Sequence, residues 1–400
     1  MAITHDGPPA GTPVKASGSI WSNEKTRGWI AQGAIGGLAA LLVGVMVWNA
    51  QDNLASQRIA SGFGFLSQTA GFGINQTLVE YSETSTYARA LLVGLLNTLA
   101  VAVVGIVFAT IFGFLVGIGR LSKNWMVRQV CTAYVEVTRN LPLLFHVLFW
   151  YLAVLAAMPP ARQSYSIFGE IYINNRGVYI PKLIFGEGSG VGLVALIVAI
   201  VGVAILKKWA TARQMRTGQP FPVLWTSLAL LIGLPFLALA AAGFPVTVEE
   251  PALKGFNFAG GARLLPEFAA LTIALSIYTG GFIAEIVRAG IKAVSRGQSE
   301  AAASLGLKPG LATRLVIIPQ ALRVMVPPLT SQYLNLTKNS SLAAFIGYPE
   351  LVQVFAGTTL NQTGQAIEII AITMGCYLII SLVTSAFMNW YNRRVALVER

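Results

Sequence analysis

Apolar runs long enough to cross a lipid bilayer recur along most of this chain, and they constrain every other reading of it. A hydrocarbon core about 30 Å thick is spanned by about 20 apolar residues in a helix. Such runs fall at Trp29–Trp48, Ala90–Gly117, Val130–Met158, Val191–Leu206, Val223–Ala242, Pro266–Val287, Val324–Ile346 and Ile367–Trp390. The fourth is the shortest, and the seventh is polar for a span. Hydrophobic residues make up 55% of the chain and charged residues 11%, against about 25% charged in a soluble domain. A chain of this kind cannot solvate its own surface. Strict alternation at period two is missing, which disfavours a transmembrane barrel. The expected architecture is all-α and integral to a membrane, with about eight transmembrane helices.

The formal net charge is +12, from 28 basic and 16 acidic residues. The basic residues follow the positive-inside pattern, which accounts for the charge through anionic membrane lipid and leaves none to suggest nucleic acid. With the N-terminus inside, the basic clusters at Arg120–Arg128, Lys207–Arg216, Arg288–Arg323 and Arg393–Arg400 all become cytoplasmic. Both termini are therefore expected in the cytoplasm. Residues 1–28 are polar, carry no signal-peptide pattern and read as a cytoplasmic tail. Three loops fall outside, at 49–88, 159–189 and 243–265. They are expected to be too short for an enclosed domain of their own. The aromatic content of 49–88 suggests a segment on the membrane surface or packed on the bundle.

Candidate chemistry is sparse. The histidines are His5 and His146, and the cysteines are Cys131 and Cys376. No catalytic set and no metal-ligand spacing can be built from them, and a structural disulfide is not expected. His146 reads as a helix-packing residue. Nucleotide-binding motifs are missing, so ATP, if used, must be bound by a partner. No strong internal repeat is visible, which weakens inverted-repeat carriers. Gly33-x-x-x-Gly37 and Gly113-x-x-x-Gly117 permit close helix approach and are read as packing signals.

Polar groups inside apolar runs are costly and are therefore informative. Arg139-Asn140-Leu141-Pro142 lies in the third run, with Pro142 expected to break or kink the helix. Glu136 stands three residues before Arg139, so the two can share a face and pair. Arg139 reads as a snorkelling or paired residue, or as part of a gate. The seventh run holds Asn335, Lys338, Asn339, Ser340 and Ser341. Lysine at a helix centre costs about 2.5–3.5 kcal/mol on insertion scales. Lys338 therefore lines a cavity or pathway, or lies nearer an interface than the run suggests. Glu285 and Arg288 can pair where the sixth run ends.

The polar segment 289–321 separates two such runs. Ser299-Glu300-Ala301-Ala302-Ala303-Ser304-Leu305 reads as a short helix built from good helix formers. Gly306 follows, where a helix end calls for positive φ. Ala301, Ala302 and Ala303 offer a small-residue surface to another protein's groove.

Here the chain resembles the permeases of ATP-binding-cassette importers. Their cytoplasmic pattern, E-A-A, three residues, G, nine residues, I-x-L-P, is met by Glu300-Ala301-Ala302, Gly306, Val316, Ile318 and Pro319. Val and Ile depart from it but keep the apolar bulk. Leu96-Asn97-Thr98-Leu99, Gly119-Arg120-Leu121-Ser122, Tyr134 through Leu144, Tyr278 through Glu285 and Asn335 through Leu342 resemble importers of polar amino acids. The resemblance implies a type I permease core in two parts, 87–158 and 265–393. Around it would lie an extra N-terminal helix with its loop (29–86), an inserted helix pair (159–264) and a short tail (394–400). That layout is most similar to the Q-type subunit of general L-amino-acid or glutamate/glutamine/aspartate importers. It implies an inner-membrane subunit that binds no cofactor itself. Two cytoplasmic ATPase copies would hold ATP and Mg, a second homologous permease would pair with it, and a periplasmic amino-acid-binding protein would dock above. Ser299–Gly306 would be the ATPase-coupling helix, and Glu136, Arg139, Asn140, Asn335, Lys338, Asn339, Ser340 and Ser341 the pathway or gate candidates. The rival readings are a standalone secondary amino-acid carrier and a membrane scaffold without transport.

Overall fold

The computed structural model describes residues 24–56 and 61–395. The expected tails at 1–28 and 394–400 lie largely outside them. The chain forms two compact units. The smaller takes Met1–Phe63 together with Thr363–Glu368 and contains helix α1, Glu24–Ser56. In it, Gly33 and Gly37 have no atom within 4 Å of where a Cβ would sit, so this glycine pair makes no close packing there.

The larger unit begins with residues 64–86, which pack down through Phe65 and Ala70 against Tyr87, Leu351 and Phe355. Helix α2 runs Tyr87–Gly119, capped by the Thr86 hydroxyl, which accepts from Arg89 N–H. Helix α3, Trp125–Asn140, starts where the Asn124 side chain accepts from the N–H groups of Met126 and Val127. Proline disfavours helical geometry in the residue before it. Accordingly Leu141 is extended, with φ −97 and ψ 136. Helix α4, Leu143–Ala157, then leaves at 107° to α3. The third expected span, Val130–Met158, is therefore a sharply broken pair rather than one helix.

The loops 159–189 and 243–265, each expected to be too short for an enclosed domain of its own, fold together. Strands β1 (Tyr165–Ile167), β2 (Ile171–Asn174), β3 (Gly177–Ile180) and β4 (Lys182–Phe185) lie before a helical hairpin. That hairpin is α5, Gly190–Thr217, and α6, Val223–Ala241. Strands β5 (Val246–Glu249), β6 (Ala252–Lys254), β7 (Asn257–Ala259) and β8 (Ala262–Leu264) follow it. β8 joins the first loop's sheet in the order β1-β2-β3-β8, while β4 pairs with β5 and β6 with β7. All pairings are antiparallel. Neither loop alone has a core. Together they bury Ala161, Tyr179 and Phe258, with Tyr172 packed on that cluster.

From β8 the chain enters α7, Pro266–Ala293, the helix around which the larger unit is packed. α7 contacts α2, α3 and α4, and also α10, Ile318–Asn339. Lipid tails are as apolar as leucine, so burial alone does not drive helices together in a bilayer; close van der Waals packing does. Glycines supply that approach. A Cβ at Gly113 would lie 2.6 Å from Ile283 Cβ, and one at Gly117 2.7 Å from Val287 Cβ. Leu271, Leu275, Ile283 and Val287 of α7 are fully buried. Between α7 and α10 lie α8 (Arg296–Ser304), α9 (Pro309–Ala312) and a wide turn at Thr313–Ile317. After α10 come the turns Ser340–Ile346 and Val352–Thr359, then α11 (Leu360–Thr363) and α12 (Ala366–Val395).

Candidate functional site

Two residues, Val294 and Ser295, separate α7 from α8, and both are extended. α8 also packs on α9 and on the Thr313–Ile317 turn, so it is an ordered appendage held at both of its ends. Its end is closed by Gly306 at φ +73. Gly306 N–H donates to Ala303 O at 2.9 Å and Leu307 N–H to Ala302 O at 3.1 Å, the paired bonds of a Schellman cap. A side chain there would be strained by about 1–2 kcal/mol. Ala302 is buried against its own chain, whereas Ser299, Glu300, Ala301, Ala303 and Ser304 are exposed. Leu305 is 81% exposed. The Gln320 amide donates to Gln298 Oε1 at 3.0 Å, tying α8 to the start of α10. The predicted coupling segment, apart from the buried Ala302, thus presents one ordered surface with an apolar knob at Leu305.

Inside this end of the bundle, Glu285 of α7 accepts from two guanidinium groups. Arg288 donates from one turn further along α7, with Nε at 3.2 Å. Arg120 donates from the C-cap of α2. The pair expected from sequence is therefore a triad, and it pins α2 to α7. Arg120 is only 10% exposed, while Glu285 and Arg288 are each more than a quarter exposed.

The pathway candidates do not form one constellation. Lys338 sits in the last turn of α10, exposed toward an open cavity of about 470 Å³ whose walls include Ser341, Thr373, Tyr377 and Ser381. Asn335 is exposed and Asn339 half-buried. Ser340 is buried, and its hydroxyl donates to Thr337 O at 2.7 Å; that of Ser341 donates to Lys338 O at 2.8 Å. Glu136, Arg139 and Asn140 are exposed at the end of α3 and do not line that cavity. The Glu136–Arg139 pair does not form among the described residues. Instead the Arg139 guanidinium lies 5.4 Å from the Phe282 ring centre. A cation–π contact contributes about 0.5–2 kcal/mol and an exposed i,i+3 pair about 0.2–0.5, so the ring wins. His146 packs edge-on to Tyr278, with centroids 5.6 Å apart.

A second polar centre was not anticipated. Glu350 is completely buried. Its carboxylate accepts from Val352 N–H at 2.9 Å, Gln353 N–H at 2.8 Å and Tyr377 O–H at 3.0 Å. Thr98 Oγ1 accepts from Leu351 N–H at 3.0 Å, and the Asn97 amide donates to Pro349 O at 2.8 Å and Gln76 O at 2.9 Å. These groups lock the turn after α10 onto α2. The motif Leu96-Asn97-Thr98-Leu99 held half of this hub in plain view. The other half, Pro349-Glu350, was a single acid between two apolar segments, which spacing alone does not distinguish from a surface charge.

Several helices long and apolar enough to cross a membrane, packed closely and carrying the ordered polar appendage α8, define an integral membrane protein. Residues 209–397 match the family described as "Binding-protein-dependent transport system inner membrane component". The chain is 56% identical over 363 residues to the general L-amino acid transport system permease protein AapQ of Rhizobium johnstonii, covering 90% of each chain. It is 52% identical over 387 residues to the putative amino-acid ABC transporter permease protein YhdX of Escherichia coli, covering 97% of this chain and 98% of that one. Against the glutamate/glutamine/aspartate/asparagine transport system permease protein BztB of Rhodobacter capsulatus, identity is 42% over 395 residues, covering 90% and 92%. The chain belongs to this family of multi-pass inner-membrane permeases of ABC transporters.

Proposed function

We propose that the chain is one permease subunit of an ATP-driven, binding-protein-dependent importer of L-amino acids. The observation that carries this is α8: an exposed, capped helix joined by two residues to α7, the helix around which the larger unit is packed. The substrate class follows from the names of the three relatives, each an amino-acid transport permease or a putative one.

In this reading the termini and α8 are cytoplasmic and the β module is periplasmic. Two ATP-binding subunits hold ATP and Mg below, one of them seating Ala301 and Leu305 of this chain in a groove. Their closure pushes α8. Through the two-residue link, and through the contacts of α8 with α9 and the Thr313–Ile317 turn, the push passes to α7 and α10. The Glu285 triad and the Gly113 and Gly117 contacts carry α2 along with it. Lys338 offers a cation to an amino-acid carboxylate, and a second homologous permease closes the open side of its cavity. A periplasmic amino-acid-binding protein delivers the substrate.

The test is Leu305→Asp in the complete transporter, reconstituted with its ATP-binding subunits and binding protein. Leu305 is exposed, so the fold is retained to within about 0.5 kcal/mol. Uptake is expected to fall by more than about ten-fold, and stimulation of ATP hydrolysis by the loaded binding protein to be lost. Wild-type uptake would sink the coupling role.

A further inference from the structure

The hairpin α5–α6 packs on itself, through Gly192 against Leu239 and Gly202 against Leu230. Its two helices differ in length. α6 has 19 residues, about the bilayer's core thickness, whereas α5 has 28 and overshoots. The overshoot begins at Lys207-Lys208 and carries Arg213 and Arg216. No acidic residue occurs between Glu187 and Glu249, so nothing in the hairpin neutralises these four charges.

The basic tip is ordered by aromatic rings. Trp209 and Phe221, on the two sides of the connection, meet edge-on with centroids 5.3 Å apart. The Arg213 guanidinium lies 5.5 Å from the Trp209 ring centre and 5.8 Å from that of Phe221. Trp225 stands exposed in the first turn of α6. Indole rings favour the headgroup level of a bilayer. Here they mark that level, with Lys207 and Lys208 beside it and Arg213 and Arg216 about one and two turns further out.

We propose that the α5–α6 tip is a binding site for anionic phospholipid of the cytoplasmic leaflet. Lys207, Lys208 and Arg216 supply mobile cations, and Arg213 supplies a guanidinium fixed by two rings for a phosphate oxygen. The choice of lipid over a soluble anion rests on charge complementarity at a depth set by tryptophan. The assignment to the cytoplasmic leaflet rests on the orientation in the proposed function; the lipid chemistry does not.

The full-length chain is purified from vesicles of equal parts phosphatidylglycerol and phosphatidylcholine, and the retained lipid is identified by native mass spectrometry. The wild type is expected to retain phosphatidylglycerol preferentially. The quadruple variant Lys207→Gln, Lys208→Gln, Arg213→Gln, Arg216→Gln should lower that preference by about ten-fold or more. The milder Lys208→Gln, Arg216→Gln pair should fall between the two, and it decides the matter if the quadruple variant does not insert. An unchanged lipid ratio in the variant read would overturn the site. Separately, Met215→Cys in a Cys131→Ser, Cys376→Ser chain should resist an impermeant maleimide in right-side-out vesicles. Labelling there would overturn the leaflet and the orientation, while the lipid ratio would still report on the site.

Discussion

Replacing Glu285 with glutamine takes away the carboxylate that two guanidinium groups share, and the three members of this triad should respond very unequally. Arg288 lies one turn along the same helix from Glu285 and is more than a quarter exposed. An i,i+3 pair in that setting contributes about 0.2–0.5 kcal/mol. Arg120 is nine-tenths buried on a different helix. Losing the partner of a fully buried charge costs about 3–5 kcal/mol; with Glu285 itself partly exposed, about 1–3 kcal/mol remains after screening. Glu285→Gln strands both arginines and should cost most. Arg120→Gln should follow, because Arg288 still serves the carboxylate. Arg288→Gln should be nearly silent. At about 2–4 °C per kcal/mol, thermal melting of the purified chain in one detergent should show a drop of about 2–12 °C for Glu285→Gln and a smaller one, at most about 2 °C, for Arg288→Gln. The Arg120→Gln, Glu285→Gln double variant should be no worse than Glu285→Gln alone. Equal drops for Arg288→Gln and Glu285→Gln, or additive losses in the double variant, would refute the cross-helix role of Arg120.

Glu350→Ala leaves two backbone N–H groups and the Tyr377 hydroxyl without an acceptor in a fully buried site. At about 1–3 kcal/mol for each unsatisfied group, yield and melting temperature should fall sharply, with Glu350→Gln intermediate; a wild-type melt for Glu350→Ala would remove the hub. For Lys338, truncation to alanine should lower uptake in proteoliposomes by about ten-fold while basal ATP hydrolysis persists, because a charged hydrogen bond contributes about 1.5–3 kcal/mol. Lys338→Arg should retain most uptake, and equal loss in both variants would point to packing instead.

What could be read from the sequence was what repeats or what is local. Apolar runs gave the helices because each is satisfied by its own backbone. The helix at 299–305 and its glycine end were legible because helix propensity and positive φ are properties of a few adjacent residues. The break at Leu141-Pro142 was visible as a kink, but not its 107° size, which depends on what α3 and α4 pack against. Glu136 and Arg139 had pairing distance by helical spacing, and the choice was made by Phe282, from a helix remote in sequence. The strands escaped because each has only three or four residues. Runs that short carry no readable alternation, and two of the pairings, β3–β8 and β4–β5, exist only across the intervening hairpin.

That last arrangement has a consequence for how the protein is made. Val178 faces Leu264 in the β3–β8 register, so the sheet cannot close until more than 80 further residues have been synthesised. At about 5–20 residues per second, that is a wait of several seconds. Both helices of the hairpin must insert, and in the correct order, before the two strands reach the same side. A hairpin that stalled or inverted would leave β3 as an unpaired edge. The small sheet is in effect a receipt for completed insertion, available to any quality-control protease that recognises open strand edges.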